Sequence, residues 1–405
     1  MSKLFFLTFL LTASAPVFGQ TITISNMTLS GSAGQNDYTN PITGTGTASV
    51  TGGSATVTLS GYATRDRGLA CGDVVQLVVK LSFNATDSIT SIFTAPVSSN
   101  VSTLNLTAQP INVIAGTGQY AGKGGSGNLT LTIVVNSDNT FNGTGSGTLQ
   151  VTSQLTPTPY VYPSGVVAND NTVPIVQPGG WVAIYGANLA NGVTNWNNNF
   201  PTNLGGVSVT INNKSAYMYY VSPTQINVQA PSDSTSGCVP VVVNTPNGQV
   251  TYAVTLEPQS PTFATLAGPA NTYAIGIGIN SDGTYNVIAP AGAFPGLTTR
   301  PAKAGEVIEF WGFGMGPTSP TVPAGSFFAQ SAPLANPGSF AVTIGGQNAP
   351  VLGVALVYPG EYQINVQIPT GLPNGDYLIQ GTLNFPNPVL GTNTQTQSNL
   401  YITVQ

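Results

Sequence analysis

Histidine is absent from this 405-residue chain, and charge is scarce. Eight Lys/Arg and 13 Asp/Glu make up 5% of residues and leave a net charge of −5, where about 25% charged is usual. Without an imidazole there is no Ser-His-Asp or Cys-His unit and no His-ligated zinc. Eight scattered cations form no basic stripe for nucleic acid. No apolar run reaches the roughly 20 residues that span a membrane. Spaced acidic ligands of a calcium loop are missing, as is any cofactor motif. These absences point to a non-enzymatic protein with no metal and no cofactor.

At the N-terminus, Lys3 precedes the apolar stretch Leu4–Leu11, and Val17-Phe18-Gly19 ends in a small residue. This pattern predicts an export signal cleaved before Gln20. The mature chain would hold 386 residues (405 less 19) at net charge −6, because Lys3 leaves with the signal. The only cysteines are Cys71 and Cys238. An exported chain can keep a disulfide, and one intramolecular pairing is available; two buried thiols are the alternative.

The chain holds 48 Gly and 31 Pro, which break helices. Between them lie short alternating runs such as Leu129, Leu131, Ile133 and Val207, Val209, Ile211, the signature of strands. The predicted class is all-β. Three prolines in Thr156–Pro163 read as a stiff linker. Beyond it a repeat emerges. Gln225-Ile-Asn-Val-Gln-Ala-Pro231 recurs as Gln363-Ile-Asn-Val-Gln-Ile-Pro369, Val207–Ile211 matches Phe340–Ile344, and Gly179–Gly186 matches Gly305–Gly312. Three blocks in the same order imply two related β domains. The expected organisation is a signal peptide (1–19), an N-terminal β domain (20–155), a linker (156–163) and two repeated domains (164–265 and 266–405).

Pro178–Leu189 resembles the opening strand of IPT/TIG domains, which are immunoglobulin-like sandwiches. Together with Val166–Asn169, LGGVSVTINN, YVSPTQINVQAP, NSDGTYN and YQINVQIP, it resembles a C-terminal module of unknown function common in secreted proteins of Acidobacteria. The resemblance implies two Ig-like sandwiches and export, and no catalytic residue. Ala115–Gly127, rich in glycine, is similar to a turn of dirigent and allene-oxide-cyclase-like proteins, which implies an eight-stranded barrel with an internal cavity. A generic sandwich remains open for that domain, since a tight turn demands the same glycines.

Strand alternation places Tyr185 and Trp311 at equivalent outward positions. They could form an aromatic platform for sugar rings or cover a neighbouring domain. The QINVQ repeats present two outward amide rows, Gln225, Asn227, Gln229 and Gln363, Asn365, Gln367. These could bond a glycan or satisfy their own domain. Trp196, in an Asn-rich loop, and the nearby Tyr217, Tyr219 and Tyr220 suit either carbohydrate or ordinary turns. The densest charge, Arg65-Asp66-Arg67 with Asp73, is a loop where an N-terminal enzyme would hold its acid or base. A solvated ion cluster is the plainer account. The sequence predicts a secreted binding or adhesion protein of the cell surface or matrix, with neutral polysaccharide or other surface proteins as partners. A ligand-binding or enzymatic barrel carried on Ig-like spacers, and a surface-fibre subunit, are the alternatives.

Overall fold

The computed structural model describes residues 19–32, 40–50, 53–68, 71–97, 103–138, 140–152, 159–168, 175–268, 270–386 and 393–405. The expected signal peptide, apart from Gly19, lies outside them. The protein is all-β, with strands and two single-turn 3-10 segments among the described residues. It divides into two compact units: Met1–Arg65 with Val74–Thr156, and Asp66–Asp73 with Pro157–Gln405.

The first unit is a closed barrel of eight strands in sequence order: β1 (Gln20–Ser32), β2 (Asn40–Val50), β3 (Gly53–Gly68), β4 (Gly72–Ser82), β5 (Ser88–Val97), β6 (Thr103–Thr117), β7 (Gly124–Val135) and β8 (Thr140–Thr152). β8 returns to β1, with Leu149 opposite Ile22 and Gly143 opposite Leu29. Closure removes the free sheet edge. Alternation sends Ile22, Ile24, Leu59, Leu77, Leu131 and Leu149 inward, and these side chains fill the interior. An eight-stranded barrel is just wide enough for that. A void of about 20 Å³ remains, lined by residues such as Ile24, Leu81, Ser91 and Leu131. It has room for one water at most. The barrel alternative therefore holds over the sandwich, and among the described residues its interior shows packed core around this small void.

The glycine-rich turn joins β6 to β7. Gly118, at φ +60°, opens the 3-10 turn Gly118–Tyr120. A Cβ there would lie 2.0 Å from Asp87 Oδ1. Asp87 accepts hydrogen bonds from Asn84 Nδ2, Thr86 Oγ1 and Gln119 Nε2, led by Asn84, and these hold its carboxyl below the usual range. The Arg65, Asp66, Arg67 and Asp73 cluster was expected on a loop. Its backbone instead belongs to β3 and β4, because the strands run long on either side of the hairpin; its side chains lie outside the described residues.

The second unit contains two sandwiches. In the first, the sheet ordered Ile175–Val176, Gly248–Leu256, Gly237–Thr245, Ser208–Ile211, Lys214–Ser215 faces the sheet ordered Thr194–Asn195, Tyr217–Val221, Gln225–Gln229, Trp181–Ala187, Tyr160–Ala168. Val182, Ile184, Val209, Met218, Ile226, Val228 and Val241 form the shared core. The expected linker, 156–163, thus ends inside a strand that begins at Tyr160. In the second sandwich, Phe310, Ile308, Ile364, Val342, Ile379 and Ile402 join two larger sheets. Its first strand, Thr262–Phe263, pairs with Val307–Phe313, slightly ahead of the boundary expected at 266.

The sequence repeat reappears as a repeat of register. Trp181, Ala183 and Tyr185 sit opposite Gln229, Asn227 and Gln225, while Val307, Glu309 and Trp311 sit opposite Gln367, Asn365 and Gln363. Tyr185 and Trp311 are therefore equivalent, as alternation requires. Cys71 and Cys238 form a disulfide, with Cα atoms 4.8 Å apart, so the pairing alternative holds over free thiols. Both belong to the second unit, since the hairpin tip Asp66–Asp73 groups with it. No helix among the described residues is long and apolar enough to cross a membrane.

Candidate functional site

Seven aromatic rings meet where the two sandwiches adjoin. Trp181 opens one strand of the first sandwich, and Tyr217 and Tyr219 alternate with buried Met218 on another. Trp196 and Phe200 come from the Asn-rich loop. The second sandwich adds Phe327, from the segment between Val307–Phe313 and Ala332–Pro333, and Tyr358, which ends the strand Val351–Tyr358. Trp196 lies 4.7 Å from Phe200, 5.1 Å from Tyr219, 6.0 Å from Trp181 and 6.1 Å from Phe327, centroid to centroid. Phe327 lies 5.0 Å from Phe200 and 5.7 Å from Tyr358. Each such contact adds about 0.5–1.5 kcal/mol beyond area burial.

Hydrogen bonds fix the second sandwich to this cluster. Trp181 Nε1 donates to Pro359 O at 2.7 Å. Gly325 N donates to Gln229 Oε1 at 2.9 Å and Ala324 N to Ser232 Oγ at 3.0 Å. Gln177 Nε2 donates to Ser260 O. Residues 317–328 thus act as a strap laid on the first sandwich. A cleft of about 310 Å³ is lined by Trp181, Val182, Tyr219, Asn227, Phe313, Tyr358 and Glu361. Three rings stand open to solvent: Tyr219 at 41%, Tyr358 at 42% and Phe327 at 48% exposure. This contiguous aromatic surface, set beside a concavity, is the candidate binding site.

Of the aromatic candidates, the structure gathers Trp196, Tyr217 and Tyr219 and leaves Tyr185 and Trp311 outside the cluster. Tyr185 is exposed beside Gln225, Trp311 is half-buried beside Gln363, and neither has a ring partner among the described residues. The amide rows are mostly spent internally. Gln225 Nε2 donates to Asn227 Oδ1 at 2.9 Å and Gln363 Nε2 to Asn365 Oδ1 at 3.0 Å. Gln229 Nε2 donates to Gly179 O and Gln367 Nε2 to Gly305 O, at 2.9 and 3.1 Å. One motif performs the same task in both copies, tying each strand to the turn before its neighbour. Only Asn227 lines the cleft, and with Oδ1 occupied it offers Nδ2 as a donor.

Sequence reasoning missed Trp181, Phe200, Phe327 and Tyr358 as members of the site. The signal in Trp181 was its outward phase on the strand. Phe327 and Tyr358 carried none, because only the fold brings them near. Two carboxylates elsewhere, Glu306 and Asp233, are engaged. Burial raises Glu306, but the Arg300 guanidinium, donating to both oxygens at 2.9 and 2.5 Å, outweighs it and holds the carboxyl low. Likewise burial raises Asp233, and bonds from Asn212, Thr235 and Lys214 outweigh it.

No protein-family model and no curated protein matches the chain. Among solved structures it is similar to the Bacteroides ovatus mixed-linkage glucan utilization locus SGBP-B in complex with a mixed-linkage heptasaccharide: 16% identity, 69% of this chain and 53% of that one, TM-score 0.29. It is also similar to the titin domains z1z2 in complex with telethonin: 9% identity, 57% of this chain and 92% of that one, TM-score 0.14. The chain spans about half the length of the first of these. At TM-scores this low, the likeness identifies no shared site or ligand.

Proposed function

We propose that the protein is an exported, non-enzymatic binding protein of the cell surface or extracellular matrix, and that it holds neutral polysaccharide in the aromatic cleft. The observation that carries this reading is the group of exposed rings, Tyr219, Phe327 and Tyr358, beside a concavity with an amide donor, Asn227. Sugar rings offer apolar C–H faces to aromatics and hydroxyls to amides, so both halves of the site find a partner. Export is supported by the N-terminal apolar stretch and by the disulfide. Among the described residues the barrel interior is packed core, which favours the aromatic cleft as the ligand site. The experiment is a glycan array probed with the mature chain and with a Tyr219→Ala/Tyr358→Ala variant. Binding by the first and loss in the second is expected. Equal signals from both would place the ligand elsewhere, and no signal from either would end the polysaccharide reading.

A further inference from the structure

We propose that the seam between the two sandwiches holds a second binding site, which takes a small neutral hydroxylated ligand of one or two sugar units and holds the strap down when filled. The proposal does not rest on the reading of the aromatic cleft.

The seam carries a cavity of about 320 Å³. Small-molecule sites run from about 300 to 1,000 Å³ and favour such junctions. The cavity shares no lining residue with the cleft. Within the turn Tyr358–Glu361, the outer two residues line the cleft and the inner two, Pro359 and Gly360, line the cavity. The first sandwich lends it Gln177, Gly180 and Ser232, and the strap lends Val322, Ser326 and Phe328.

Gln177 is the side chain that asks for a ligand. It is 4% exposed. Its Nε2 donates to Ser260 O at 2.6 Å, which fixes the amide's orientation. Oε1 then accepts no hydrogen bond among the described residues. This oxygen lies beside two glycines of the lining: a Cβ on Gly180 would come 3.2 Å from it, and one on Gly314 closer still. A buried acceptor left unmet is costly, and an O–H entering the cavity would meet it. Ser232 Oγ accepts the Ala324 N–H at 3.0 Å, which leaves its own hydrogen to donate. The wall thus calls for both a donor and an acceptor, and a hydroxyl is both. Val322, Phe328 and Leu356 supply apolar surface for C–H faces.

The ionisable groups of the lining, Asp233 and Tyr362, are both engaged. Asp233 is bonded by Asn212, Thr235 and Lys214, and Tyr362 Oη donates to Gly316 O. The lining holds no Lys or Arg. A charged ligand would shed water without gaining a free counter-charge; a neutral one has no such loss.

Because the strap forms one wall, a ligand held by the docked strap opposes its opening. At ten times the dissociation constant, opening slows about tenfold.

The test titrates isotope-labelled mature chain with glucose, galactose, mannose, xylose, cellobiose and maltose, and with glucuronate and glucosamine as charged probes, read by amide chemical shifts. At least one neutral sugar should shift Gly180 and Ser232 saturably and slow hydrogen exchange at Ala324 about tenfold. The shifts should persist in Tyr219→Ala and weaken at least fivefold in Gln177→Met. Val322→Phe, which adds bulk from the strap side, should weaken them equally and carries the test if Gln177→Met does not fold. No saturable shift with any neutral sugar, native affinity in either folded cavity variant, unchanged exchange at Ala324, or a charged probe binding as tightly as the best neutral sugar would overturn the proposal. Loss of the shifts in Tyr219→Ala would also overturn it, placing the sugar in the aromatic cleft and leaving the glycan reading standing.

Discussion

Replacing Gly325 by alanine should lift the strap from the first sandwich without unfolding either one. Gly325 lies at φ +82°, where a residue with a Cβ pays about 1–2 kcal/mol. The added Cβ would come 2.2 Å from Cε1 and Cζ of Tyr217, and Tyr217 is itself packed edge-on to Phe200 at 6.3 Å. The strap is the freer partner and would move. Gln229, 2% exposed, would then lose the Gly325 N–H from Oε1, which costs about 1–3 kcal/mol for a buried acceptor. The Ala324 N–H to Ser232 bond adds about 0.5–1.5 kcal/mol. Together these set roughly 3–6 kcal/mol against the docked strap. The core of the first sandwich holds no strap residue, and the second is met by the strap only through Val322 and Phe328, so cooperative unfolding should remain. The readouts are hydrogen exchange at Ala324 and Gly325, expected to accelerate at least a hundredfold, and tryptophan emission, expected to shift red as Trp196 loses Phe327. A Gly325→Ala protein with native exchange at both amides and native emission would refute the reasoning.

Three further outcomes follow from a buried carboxylate, a buried amide and the disulfide. Both carboxylate oxygens of Glu257 are buried without a hydrogen-bond partner, and burial pushes its pKa above the ordinary 4.5. The folded state then binds the proton more tightly than the unfolded chain. Stability is full below about pH 4.5 and falls as pH rises through the raised pKa. Glu257→Gln should flatten that fall across melts from pH 4 to 8; identical pH curves for the two proteins would contradict it. Gln229→Ala should cost about 1 kcal/mol more than Gln367→Ala in denaturant unfolding, because the strap bonds only the first of these side chains. The Cys71–Cys238 bond closes 167 positions of chain. Its removal by Cys71→Ser/Cys238→Ser should lower the stability of the second unit by on the order of 4–5 kcal/mol, read from guanidinium unfolding with and without reductant.

The β class and the repeat were legible because alternation and turn residues are local properties. The register of the repeat was legible too, since Trp181 to Tyr185 and Gln225 to Gln229 keep one phase over five residues. The amide rows illustrate a limit. Gln225 and Asn227, two apart on a strand, share a face and so can bond each other, which makes an outward row partly self-satisfied. Tyr185 and Trp311 were correctly phased, but phase does not say which outward residues a neighbouring domain will meet. Trp181 meets Pro359, 178 positions away, and that contact is set by the packing of the sandwiches. The barrel interior was opaque for a related reason: the strand count fixes its width, and the side-chain volumes of Ile22, Leu77, Leu131 and Leu149 decide whether it is filled.

The sharpest discrimination comes from three single variants run in a gel containing the neutral polysaccharide that retards the native chain most. Tyr219→Ala and Tyr358→Ala should each lose at least tenfold in apparent affinity, while Trp311→Ala, outside the cluster, should run with the native protein. Loss of retardation in Trp311→Ala alone, with Tyr219→Ala and Tyr358→Ala unaffected, would remove the ligand from the aromatic cleft and return it to the repeated strand face.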